Sequence, residues 1–171
     1  ALDVDSSTEV QGFTITGGYA NEFVTDNHGG GMYNAGGSPT VINCTFVGNY
    51  ALLAGGAMSN EWGLNGLGSS PTIVNCVFSG NSAEYGGGMY NTDGTVMVAN
   101  CTFSGNTTYE ASGGGMYNWL SSPTLTDCTF SENWGSVWAY DNEGGGGMCN
   151  DASNPTLTDC TFNANWGALV G

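Results

Sequence analysis

The stretch that decides the fold is Gly113–Asn133, GGGMYNWLSSPTLTDCTFSEN. It joins two motifs that alternate along the chain. The first is GGGMYN at Gly29–Asn34, GGAMSN at Gly55–Asn60, GGGMYN at Gly86–Asn91 and Gly113–Asn118, and GGGMCN at Gly145–Asn150. The second is NCTFVGN at Asn43–Asn49, NCVFSGN at Asn75–Asn81, NCTFSGN at Asn100–Asn106, DCTFSEN at Asp127–Asn133 and DCTFNAN at Asp159–Asn165. Gly12–Gly18, GFTITGG, is a sixth, degenerate copy of the second, with Phe13 in the cysteine slot.

The Met-to-Cys interval is 12 residues in four copies and 18 in one, from Met58 to Cys76, whereas the return from the cysteine slot to the next Met varies from 13 to 20. Constant strands with variable connections are the mark of a solenoid coil. The units are rich in Gly, Asn, Thr and β-branched residues, which are poor helix formers. Their short alternations have period two, and no apolar stripe of period 3.6 runs through them. The expected fold is therefore all-β: a right-handed, single-stranded parallel β-helix of about six coils, one domain over 1–171, with insertions near 20–28, 60–69 and 136–143. Each coil is expected to hold three strands, the Gly-Gly-Met-Tyr-Asn strand, a Pro-Thr-Leu-Thr strand and the Cys-Thr-Phe strand, with a corner at the Asn or Asp between the last two.

Strand alternation sends Met and the following Asn inward and Tyr outward. Met32, Met58, Met89, Met116 and Met148 should stack inside, as should Phe46, Phe78, Phe103, Phe130 and Phe162. Asn49, Asn81, Asn106, Asn133 and Asn165 form a further column, and so do Asn43, Asn75, Asn100, Asp127 and Asp159, whose corner calls for the left-handed backbone that Asn tolerates. Stacked amides can bond from coil to coil. Cys44, Cys76, Cys101, Cys128 and Cys160, with Phe13, are expected as one interior column of free thiols, because in-register neighbours are poorly placed for a disulfide. Cys149, in the tyrosine slot, is expected to be the reactive one.

These elements resemble the right-handed parallel β-helix superfamily. The pairing of Gly30-Gly31-Met32-Tyr33 with Phe46-Val47-Gly48-Asn49 is similar to the repeats of chlamydial-type polymorphic outer-membrane proteins. That resemblance implies a secreted or surface-displayed, adhesin-like protein. Other β-helix proteins cleave acidic polysaccharides with an Arg or Lys as base.

The chain has 171 residues with no Lys or Arg, fifteen acids and one histidine, for a net charge of −15. Contacts to a phosphate backbone need cations, so nucleic acid is not an expected partner. Anionic membranes are disfavoured for the same reason, and no apolar run reaches the roughly 18 residues of a membrane span. No base of the lyase kind is present, and a polyanion repels acidic substrate. Asp127 and Asp159 are read as corner residues rather than a catalytic pair, so no catalytic residue and no cofactor is expected.

Calcium is the one possible ligand ion, with weak candidates Asp26, Asp141 and Glu143 in the longest return loops. His28 is read as a loop-tip residue. Tyr33, Tyr90 and Tyr117, with Trp134 and Trp166, are the expected interaction residues, able to stack on a glycan or bury a cell-surface partner. Starting at Ala1 suggests a processed or excised chain, and ends without caps suggest head-to-tail stacking of the protein on itself. The expected role is an extracellular structural or interaction rod. The alternatives are a carbohydrate-binding module and, more remotely, a polysaccharide-degrading enzyme of the pectate-lyase-like fold.

Overall fold

In a computed structural model of the chain, residues 7–22, 27–63, 66–136 and 144–167 are described, and they form only strands, bridges and turns. The strands assemble into four parallel sheets that run the length of a solenoid. Three sheets have six strands and the fourth has five.

Each repeat motif becomes one wall. The GGMYN motif supplies Met32–Ala35, Met58–Glu61, Met89–Thr92, Met116–Trp119 and Met148–Asp151. The Cys-Thr-Phe motif supplies Thr45–Val47, Val77–Ser79, Thr102–Ser104, Thr129–Ser131 and Thr161–Asn163, preceded by Thr14–Thr16 of the first coil. Pairing is in register, so identical residues meet: Met89 with Met116, and Phe103 with Phe130. The segment between the two motifs forms a third wall, from Glu9–Gln11 to Thr156–Thr158.

The three-strand coil was one wall short. After the Phe-x-x-Asn element, two-residue strands such as Ser82–Ala83, Thr107–Thr108 and Trp134–Gly135 make an additional, narrow sheet of six strands. Two residues are too few for an alternation to show in the sequence.

Corners are set by left-handed residues. Asn43, Asn75, Asn100, Asp127 and Asp159 have φ of 52 to 54°. Asn and Asp bear that conformation at low cost, so the two acids stand where the other coils have Asn. Close approach also fixes Gly87, where a Cβ would lie 2.3 Å from the Thr107 carbonyl oxygen. No side chain fits there.

The expected interior is observed in the inner coils, whereas Met148 and Cys160 of the last described coil are only partly buried. Met32, Met58, Met89 and Met116 are fully buried, as are Phe46, Phe78, Phe103 and Phe130. The phenylalanine rings stack 4.6 to 5.0 Å apart and within 5° of parallel, out to Phe162. Beside them Cys44, Cys76, Cys101 and Cys128 are buried free thiols. The Cys44 amide donates to Cys76 Sγ at 3.4 Å, and the Cys76 amide to Cys101 Sγ at 3.3 Å.

Phe13 departs from that column. Its carbonyl accepts from the Thr45 amide, one residue past Cys44, but its side chain is 60 % exposed, because among the described residues only one coil flanks it. Leu157 and Phe162 of the last described coil are exposed in the same way.

Two asparagine ladders bind coil to coil. In one, Asn81 Nδ2 donates to Asn106 Oδ1 at 2.9 Å, and Asn106 Nδ2 to Asn133 Oδ1 at 2.9 Å. In the other, Asn34, Asn60, Asn91, Asn118 and Asn150 are linked Nδ2 to Oδ1 at 2.6 to 2.8 Å. A buried amide is costly unless bonded, and each inner rung answers the next.

Candidate functional site

The methionine sheet has two outward columns. Tyr33, Ser59, Tyr90, Tyr117 and Cys149 form one, and Ala35, Glu61, Thr92, Trp119 and Asp151 the other. Outward does not mean exposed here. Return segments run alongside, with His28, Ala54 and Tyr85 bridged to one another in successive coils. They make a wall, and the tyrosine-slot column becomes a floor: Ser59 is fully buried, Tyr117 is 6 % exposed and Cys149 8 %, while Trp119 of the second column stays exposed.

This corrects the expectation for Cys149, which is not the accessible thiol; Cys160, at the last described coil, is the less covered one. Burial pushes the Cys44 and Cys128 thiols up. In the Cys76–Cys101 pair the shared hydrogen bond favours charge on Cys76 over Cys101, while burial opposes charge on either.

Between floor and wall lies a groove of about 250 Å³. Tyr90, Tyr117 and Trp119 line it from the sheet, Tyr85, Leu53, Ala54 and His28 from the wall, and Asp151 closes one end. The Tyr90 and Tyr117 rings stack 5.7 Å apart, and Tyr85 meets Tyr117 edge-on at 5.2 Å.

At the His28 end, Glu61 is the hub. Its Oε1 accepts from Ser59 Oγ at 2.5 Å and from His28 Nδ1, and Tyr33 also bonds to it. His28 is thus a wall residue with a carboxylate partner rather than a loop tip. The arrangement is not that of an activated nucleophile, in which a base sits on the hydroxyl and a carboxylate behind the base. Here serine and histidine both bond to the same carboxylate oxygen.

Electrostatics run one way. Burial pushes the Tyr33 phenol up, assisted by Glu61. Tyr90 is pushed up further, by burial first and then by Glu61, Tyr85, Asp93 and Asp151.

The structure gathers only part of the expected interaction set. Tyr90 and Tyr117 line the groove, and Tyr33 lies at its His28 end, 6.0 Å from the His28 ring between centroids. Trp134 and Trp166 do not join them: they stack on each other at 6.5 Å on the narrow sheet. Asp26, Asp141 and Glu143 lie outside the described residues, and among the described residues no group of three metal-ligating side chains occurs. Trp119, Glu61 and Asp151 each follow a tyrosine-slot residue by two, so strand alternation could have found them. Tyr85 stands in a return segment with no periodic signal.

The right handed beta helix region model matches residues 5–133 and 99–170. The chain belongs to the right-handed β-helix family. No curated protein and no solved structure matches it.

Proposed function

We propose that this β-helix is an extracellular structural and interaction module, a rod that presents its tyrosine-lined groove to a partner and does not catalyse a reaction. The observation that carries the reading is the groove itself: a partly dehydrated aromatic recess held on laddered sheets, which supply the rigidity that a binding site requires. Surface display, as in an adhesin, is supported by the likeness of the Gly-Gly-Met-Tyr and Phe-x-x-Asn pair to chlamydial-type outer-membrane repeats.

The absence of catalysis is supported by the bonding of Ser59 and His28 to one Glu61 oxygen, and by the corner geometry of Asp127 and Asp159. Incubating the protein with neutral and acidic polysaccharides while following reducing ends and unsaturated products tests it. No release is expected. Release that disappears in Asp127→Asn would contradict the reading.

A second reading, carbohydrate binding, is favoured by exposed Trp62, Trp119, Trp134 and Trp166, whose faces suit sugar rings. Head-to-tail stacking into fibres is supported by the inner columns, where each coil repeats the residues of the last and accepts another of equal pitch. Repulsion between subunits of charge −15 opposes it, so salt or calcium should promote it. Sedimentation at rising concentration decides: a monomer that persists with calcium present rules fibres out.

A further inference from the structure

We infer that the groove between the methionine sheet and its return-loop wall is a site for an organic ammonium group, a quaternary or alkyl amine seated on Tyr90, Tyr117, Tyr85 and Trp119 beside Asp151. The inference rests on the reading of this groove as the interaction surface and names the chemistry of what enters it.

Four aromatic rings converge on one recess. Ring faces attract cations through their quadrupole, most strongly when water is excluded. Carboxylates stand at both ends, Asp151 in the lining and Glu61 behind His28, and Asp93 is near enough to act on Tyr90. Lys and Arg are absent and the one histidine, His28, is paired with Glu61, so Asp151 and Asp93 have no cationic side-chain partner. Apart from His28, these 171 residues hold no cationic side chain to occupy the place.

The other candidates fit less well. Anions are repelled by the same carboxylates. A sugar needs several convergent hydrogen-bond groups, whereas most of the lining is ring or aliphatic surface, with Leu53 and Ala54 in the wall. A volume near 250 Å³ suits a compact head group.

The test is saturation-transfer NMR of the intact chain with tetramethylammonium chloride, against neopentyl alcohol as the neutral probe of like shape and glucose as the sugar control. Saturable transfer from tetramethylammonium is expected with Kd on the order of 1 mM, and none from the two neutral probes. Tyr90→Phe should retain it, Tyr90→Leu should weaken it roughly ten-fold, and Asp151→Asn roughly five-fold. A lysine-containing tripeptide in parallel tells a protein side chain from a free small cation as its source. Equal transfer from tetramethylammonium and neopentyl alcohol, or transfer from glucose alone, overturns the cation assignment and leaves the groove an interaction surface. Transfer from none of the probes overturns both.

Discussion

Asn81 holds the coils on either side of it at once: one amide hydrogen goes to Asn106 Oδ1 at 2.9 Å and the other to the Phe46 carbonyl oxygen at 3.0 Å. Its own Oδ1 accepts from the side chain and backbone nitrogens of Asn49, each at 3.0 Å. Both donors and both acceptor sites are used. The same pattern recurs at Asn106 and Asn133.

Removing one rung should therefore orphan several buried groups. Asn106→Ala strands one side-chain amide hydrogen and the backbone N–H of Asn81 and takes a donor from the Phe78 carbonyl, and is expected to cost about 3 to 5 kcal/mol in denaturant unfolding. Asn100→Gly, at an exposed corner with φ of 52°, should stay within about 0.5 kcal/mol of the parent. Equal losses would mean that the ladder does not bear on stability.

The phenylalanine stack should show a gradient. Phe103 is fully buried between two neighbours, whereas Phe162 is 46 % exposed. Phe103→Ala is expected to destabilise by about 3 to 5 kcal/mol, and Phe162→Ala by roughly 1 kcal/mol. A reversed order in denaturant midpoints would place the core elsewhere.

Thiol accessibility tests strand facing. Native protein treated with a maleimide should be modified first at Cys160, while Cys44, Cys76, Cys101, Cys128 and Cys149 stay protected. Rapid modification of Cys149 would show that the groove floor is open.

Glu84 supplies a pH signature. Burial, and then the charge of Glu110, raise its carboxyl above the ordinary value. The folded state holds that proton to higher pH than the unfolded state does. Its contribution to stability is therefore full below the unfolded pKa and is lost as pH rises through the raised one. Glu84→Gln should melt about 1 °C higher than the parent at neutral pH, with the difference gone near pH 3. A difference that grows on acidification would reverse the sign.

The walls were legible because their register is written in identical residues: Met over Met, Phe over Phe, Cys over Cys. The narrow sheet at Ser82–Ala83 and its equivalents was not, since two residues carry no period. At the site, Tyr90 and Tyr117 were placed on the correct face by alternation. Alternation does not report how far each is covered, because that depends on return segments such as that of Tyr85, which vary from coil to coil. Trp134 and Trp166 follow the Phe-x-x-Asn corner, and that corner carries them to a different sheet from the tyrosines. Sequence proximity to a motif could not report the turn between walls.

The most direct measurement of the central claim, that the groove is the working surface of this rod, is binding of the intact chain to one array of glycans and cationic peptides, compared with the Tyr90→Leu/Trp119→Ala variant. Retention by the parent and loss in the variant, with both melting within about 3 °C of each other, is the predicted result. Equal retention by parent and variant would place the interaction on another face and contradict the account.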